Sequence, residues 1–126
     1  MFLSGIDIGG TSIKFGVFDE QLNLLQQWSR PTPKEPAEAA ALIAEPYHVA
    51  TIGAGAPGTL NAARETITAD NLAWVDVPLA ALLRRASGLP AVVINDGHAA
   101  MLAEMRSGAL QNVQTGILLT LGTGIG

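Results

Sequence analysis

The chain contains no cysteine, no block of like charges and few aromatics, which make up 5% of it. Without cysteine it has no disulfide framework, no thiolate nucleophile and no cysteine-based zinc site. Charge is scarce as well. Only 14% of the residues are charged, against roughly 25% in a typical soluble protein. The 7 Lys and Arg are outnumbered by 11 Asp and Glu, for a net charge of −4. That balance argues against a nucleic-acid surface, which needs a basic patch, and against docking on anionic lipid. No apolar run approaches the roughly 18 residues of a membrane span. The opening MFLSGIDIGG has no basic segment and places Asp7 where a signal peptide is apolar. A cytoplasmic protein is expected. No internal repeat or low-complexity tract interrupts the sequence.

What is present is one domain's worth of chain, 126 residues, of which 48% are hydrophobic. A domain of this size buries about two-thirds of its unfolded surface, so an ordinary core is within reach. The shortage of charge predicts a surface covered by another domain or subunit, and a homo-oligomer is expected.

The apolar pattern predicts strands first. Residues 2–8 form a short apolar run ending in Gly9-Gly10, and Ser12–Phe18 alternates, with Ile13, Phe15 and Val17 on one face. Residues 19–23 read as a turn and 24–29 as a third strand, which together make an antiparallel meander. Pro31-Thr32-Pro33 breaks the sheet. An Ala-rich helix is expected over 36–45, stopped by Pro46, followed by a buried strand over 49–54. Residues 55–75 carry loop densities of Gly, Pro, Asn and Asp. Leu79, Leu82, Leu83 and Ala86 form one helical stripe. Asp76 is its expected N-cap, and Gly88 with Pro90 its stop. A strand over 91–94, a helix over Asp96–Ser107 capped by Gly108 and a strand over 114–121 complete the order βββαβαβαβ, an α/β layered mixed sheet. An apolar strand running into the glycines of 122–126 predicts a domain cut from a longer protein.

Four stretches carry chemistry. In Gly5-Ile6-Asp7-Ile8-Gly9-Gly10-Thr11-Ser12, the glycines let backbone N–H groups approach an anion. The Thr11 hydroxyl can donate to phosphate oxygens, and the Asp7 carboxylate can hold a hydrated magnesium ion beside them. The bland alternative is a tight hairpin with an incidental Asp. A P-loop is rejected, because Thr11 stands where its lysine must be and a strand follows. Gly53-Ala54-Gly55-Ala56-Pro57-Gly58 fits G-x-G-x-x-G, but no helix opens inside it, as a dinucleotide site requires. It reads as a backbone loop approaching a small polar ligand. Asn95-Asp96 follows a buried strand and opens a helix. A carboxylate there is rigidly held and can act as a general base; helix capping is the plain alternative. Gly122-Thr123-Gly124-Ile125-Gly126 is a second possible phosphate cradle. His48 and His98 read as incidental, and Trp28 and Trp74 as packing residues.

As an ordered set these stretches resemble the N-terminal domain of the ROK sugar kinases. The matching segments are Gly5 to Thr11, Gly55-Ala56-Pro57-Gly58, Asn71-Leu72-Ala73-Trp74, Gly88-Leu89-Pro90, Asn95 to Glu104 and Leu121 to Gly126. They span nearly the whole of residues 1–126. The resemblance implies an actin-like (ribonuclease H-like) ATPase fold, with sugar and ATP bound between two domains. It implies ATP-dependent phosphorylation of a hexose or N-acylhexosamine, commonly at the 6-hydroxyl. By the same resemblance Asp7, Gly9, Gly10, Thr11 and Ser12 would meet phosphates and magnesium, with Asp7 holding the metal through water. Gly122, Thr123 and Gly124 would form the second phosphate loop. Gly58, Asn71 and Asn95 would bind the sugar, and Asp96 would be the catalytic base. Asp96-Gly97-His98-Ala99 departs from the family's usual Asp-Ala-Asn-Ala, and its glycine resembles the amino-sugar kinases. The family's C-terminal domain, with its zinc site and adenine pocket, has no counterpart in these residues. The isolated chain is therefore expected to be inactive. A non-catalytic sugar-binding or assembly domain is the alternative.

Overall fold

The computed structural model describes residues 1–45 and 48–122. Pro46, expected to stop the first helix, and Thr123 and Gly124 of the terminal glycine loop lie outside the described residues. Three antiparallel strands come first: β1 (Leu3–Ile8), β2 (Ser12–Phe18) and β3 (Leu24–Pro31). Alternation sends Ile6 and Ile8 of β1, and Ile13, Phe15 and Val17 of β2, into the core. The β2–β3 turn forms around Asp19. Its Oδ1 accepts the Gln21 and Asn23 backbone N–H groups at 2.9 and 2.8 Å, and its Oδ2 accepts the Asn23 amide at 2.9 Å. The Asn23 side chain, and then its backbone N–H, hold the Asp19 carboxyl below its ordinary value.

Helix α1 (Pro36–Ile43) starts with proline, whose fixed φ suits the first helical turn. Strand β4 (Thr51–Ala56) then runs parallel to β1. Helix α2 (Leu79–Ser87) buries Leu79, Ala80 and Leu83 and leaves Arg84 and Arg85 exposed. It ends at Gly88, whose φ of +71° places the cap in the left-handed region that glycine tolerates. Strand β8 (Ala91–Asn95) is parallel to β4 and leads directly into α3 (Asp96–Ser107). The sheet order is β3-β2-β1-β4-β8. One face joins the buried residues of α1 and α2 in a single apolar cluster. Leu83 is fully buried there, and its truncation to alanine would cost about 2–5 kcal/mol. Helix α3 lies on the other face, where a Cβ on Gly55 would stand 3.4 Å from both the Ala99 Cβ and the Asp96 Cα.

The α/β mixed sheet is as expected, but the element order is not. Residues 55–75 are no loop: they hold β5 (Thr59–Asn61), β6 (Thr66–Ala69), a turn of 3-10 helix (Asp70–Leu72) and the start of β7 (Trp74–Val77). These strands form a second, antiparallel sheet. The β-branched run Thr66-Ile67-Thr68 favours extension, and the glycine, asparagine and aspartate residues mark tight turns between short strands. Asp76 is no helix cap. It sits in β7 at a φ of +52° and accepts the Thr66 hydroxyl at 2.8 Å and Arg64 at 3.2 Å, while Pro78 occupies the cap position. Gly108 does cap α3, its N–H reaching the Glu104 carbonyl, but with extended rather than left-handed dihedrals. The strand expected over 114–121 is absent among the described residues, where only Leu121 makes an isolated bridge. Ile117 and Leu119 are exposed there, so no burial of one face holds the segment in an extended ladder. Among the described residues no helix is long and apolar enough to cross a membrane.

Candidate active site

The site begins where the parallel strands end. Register aligns Asp7 with Gly55, and Gly55 with Ile94, while Ala56 lies beside Asn95. The carboxyl ends of β1, β4 and β8 therefore share one edge, which is where open α/β sheets bind ligands. A cavity of about 680 Å³ lies between α3 and the face of the sheet it packs on; its lining is mostly apolar, with Phe18, Leu24, Val92 and Leu102 among it, and its charged members are Asp7, Lys14 and Asp96. The two carboxylates proposed from sequence, Asp7 and Asp96, thus face one cavity.

Lys14 was not among the expected site residues. It pairs with Asp7 across the β1–β2 hairpin, and its Nζ lies 3.3 Å from Asp7 Oδ2. Among the described residues bordering the cavity it is the one cation. The missed signal was alternation: Lys14 falls on the face opposite Ile13 and Phe15, the same face as Asp7.

The turn between β1 and β2 is compact. The Gly9 N–H donates to the Ser12 carbonyl at 2.9 Å, so it is spent inside the turn. Gly10 and Thr11 are exposed at its tip. Thr32, also missed from sequence, holds the turn from behind. Its N–H reaches the Thr11 carbonyl at 3.0 Å, and its hydroxyl reaches the Gly9 carbonyl at 2.7 Å. A Cβ on Gly10 would stand 3.3 Å from Asn71 Nδ2. Asn71 therefore belongs beside the glycine turn, in a second cavity of about 770 Å³ that Asp96 does not border.

Asn95 and Asp96 both open α3. Asn95 Oδ1 caps the helix by accepting the His98 N–H at 3.1 Å, and its Nδ2 donates to the Gly58 carbonyl at 2.9 Å. Capping and loop-holding thus occur in one residue. Asp96 Oδ1 accepts the Gly97 N–H at 2.8 Å, which leaves Oδ2 for a hydroxyl. Gly58 has a φ of +93°, and a Cβ there would fall on the Thr68 carbonyl oxygen. Of the G-x-G-x-x-G stretch, residues 53–56 are strand and Gly55 serves the approach of α3. His98 donates its backbone N–H to the Asn95 cap and borders a smaller cavity with Asn95 and Asp96. Trp74 is buried and donates to the Lys34 carbonyl at 2.9 Å, and Trp28 stacks on Phe15 at 5.2 Å, so both tryptophans pack.

Gly122 is exposed at the end of the described chain. Two features bear on ligand binding at this end of the sheet. The Asp7 carboxylate is more than half exposed and paired only with an equally accessible Lys14. The adjoining turn carries glycines where a Cβ would crowd Ser12 and Asn71.

The chain is similar to known proteins. The family model described as "ROK family" matches residues 3–126. A glucokinase of Streptomyces coelicolor is 38% identical over 130 residues, covering 97% of this chain and 41% of the relative. An N-acetyl-D-glucosamine kinase of Vibrio parahaemolyticus is 33% identical, covering 97% of this chain and 44% of the relative. The crystal structure of a ROK family glucokinase from Streptomyces griseus, in complex with glucose and AMPPNP, superposes with a TM-score of 0.88 at 36% identity. It covers 100% of this chain and 43% of that one. The chain spans less than half the length of these relatives. It belongs to the ROK family and carries that family's actin-like, ribonuclease H-like fold.

Proposed function

We propose that this chain is the N-terminal domain of an ATP-dependent sugar kinase that phosphorylates a hexose or N-acylhexosamine at the 6-hydroxyl. The observation that carries the reading is the placing of Asp7 and Asp96 at the carboxyl ends of β1 and β8, where with Lys14 they are the charged members of one cavity's lining. The glucokinase and N-acetyl-D-glucosamine kinase relatives support the sugar class. The primary 6-hydroxyl is the least hindered acceptor on such a ring.

Phosphoryl transfer is catalysed mainly by positioning and charge stabilisation. On this reading Asp96 is the general base: Oδ2 takes the hydroxyl proton as the sugar oxygen attacks. The Gly58 backbone and the second amide hydrogen of Asn95 orient the sugar; Asn71, in the separate cavity beside Gly10, is left out of the sugar site on this reading. Gly10, Thr11 and Ser12 receive the phosphates, with Gly9 shaping their turn. Gly122 would contribute to binding phosphate from the other side; Thr123 and Gly124, expected to join it, lie outside the described residues. Asp7 would hold magnesium, through water, and the ion would supply charge screening for the phosphates there. Lys14 adds a mobile positive charge beside them. ATP as donor places the work in the cytoplasm, and the charge-poor surface supports a homo-oligomer.

The cavity is open on one side, and transfer needs a water-excluded cleft. The 126-residue chain alone is therefore expected to show negligible turnover. The test is ADP release by the full-length protein across a panel of hexoses and N-acylhexosamines. Release that depends on sugar is expected. Release that ignores sugar, or none in the full-length protein, contradicts the reading.

A further inference from the structure

The β5–β6 hairpin, which begins beside Gly58, is fastened to the parallel sheet at two points. At its base the Asn95 amide holds the Gly58 carbonyl at 2.9 Å. At its tip Glu65 accepts a two-pronged contact from Arg84, with Nη1 to Oε2 at 2.9 Å and Nη2 to Oε1 at 3.2 Å. The same guanidinium donates through Nε to the Ala91 carbonyl at 3.1 Å. Ala91 and Asn95 are the first and last residues of β8. The hairpin is thus pinned to both ends of the strand that delivers Asp96.

Packing between these pins is incomplete. A cavity of about 190 Å³ separates Leu60 and Ile67 of the hairpin from Leu79 of α2 and Val93 of β8. Ile67 is nonetheless buried in the main apolar cluster, so the void deprives chiefly the β5 side of the hairpin, at Leu60 and Ala62, of partner atoms. Glu65 also holds a left-handed φ of +52°. A non-glycine residue there costs about 1–3 kcal/mol and persists only where its surroundings impose it. The Arg84 fork is made to this residue, and Asn61 Oδ1 holds the same turn by accepting the Arg64 N–H at 3.2 Å.

We infer that Arg84 is a positioning residue: by gripping Glu65 and the Ala91 carbonyl it sets where the hairpin lies along β8, and so where Gly58 stands relative to Asp96. The inference rests on the sugar-kinase reading for its consequence, but not for its geometry. A planar guanidinium can span both Glu65 oxygens and a carbonyl, whereas a lysine ammonium is a point charge and cannot.

The test uses the full-length kinase with Arg84→Gln, Arg84→Lys, Glu65→Gln and the double Glu65→Gln/Arg84→Gln. Arg84→Gln is expected to raise the sugar KM about three- to tenfold, as for loss of a forked, partly exposed pair. The kcat and the ATP KM should stay within about twofold. Arg84→Lys should not restore the sugar KM. The double variant should be no worse than the poorer single, because both remove one contact. Amide exchange should quicken within residues 58–69. An unchanged sugar KM, or kcat and both KM values worsening together, would reduce Arg84 to a stabilising residue and overturn the inference. Should the wild-type protein phosphorylate no sugar, the kinase reading fails, and exchange alone decides. Quickening confined to 58–69 then supports the positioning of the hairpin, and unchanged exchange refutes it.

Discussion

Lys14 Nζ stands 3.3 Å from Asp7 Oδ2 across a β-hairpin, both groups more than half exposed on the open side of the sheet. An exposed pair of this kind contributes little to stability. Its value lies in keeping a cation beside the carboxylate assigned to magnesium. Lys14→Met should lower turnover by about tenfold, less than the 10² or so of a preorganised donor, because the exposed Lys14 side chain is free to move. The sugar KM should stay within about threefold. Lys14→Arg should recover part of the loss. Asp7→Asn should instead weaken the response to magnesium. Steady-state rates at varied magnesium and ATP check both, and normal ATP kinetics in Lys14→Met would remove Lys14 from the mechanism.

Gly58 combines a φ of +93° with a Thr68 carbonyl where its Cβ would go. Gly58→Ala must either strain the backbone or push β6 away, at a cost of about 1–3 kcal/mol or more. Chemical denaturation should show that loss. Because the Gly58 carbonyl is also held by Asn95, sugar affinity should fall with it. A variant as stable as wild type would mean that the hairpin gives way freely.

The Arg84 guanidinium, by hydrogen bond and then by charge, holds the Glu65 carboxyl below its ordinary value of 4.5. A lowered folded-state value stabilises the folded form once the unfolded group is ionised. That contribution is complete above pH about 4.5 and is lost as the pH falls through the lowered value. Amide exchange within residues 58–69 should therefore quicken, beyond its intrinsic pH dependence, as the pH drops below about 4.5. Arg84→Gln should abolish that pH dependence. A hairpin whose protection ignores this window, or an Arg84→Gln variant that keeps the step, would show that the ion pair does not hold the tip.

The sequence made the first sheet legible because its information is local. Ile13, Phe15 and Val17 alternate, and the turn around Asp19 closes through residues no more than four apart. Asp96 was legible for a similar reason, as a carboxylate at the junction of an apolar strand and a helix. The second sheet was not. Strand β5 has only 3 residues, and β7 contains Asp76 at a φ that strands rarely adopt. What holds β7 is Thr66 and Thr68 reaching Asp76 from the neighbouring strand, contacts that no window of sequence displays. Gly55 misled in the same way: its lack of a side chain serves a helix 41 residues later, at Asp96, by close approach rather than by a loop.

The most direct measurement is the turnover of Asp96→Asn in the full-length protein. The amide keeps the shape of the side chain and its place at the start of α3 but cannot take a proton from the sugar. General-base assistance is worth about 10²- to 10⁴-fold, so kcat should fall by that factor. Sugar affinity should stay within roughly tenfold, because hydrogen bonding is largely kept. An Asp96→Asn enzyme that turns over at a near-normal rate would contradict the account and leave Asp96 as a residue of the α3 terminus alone.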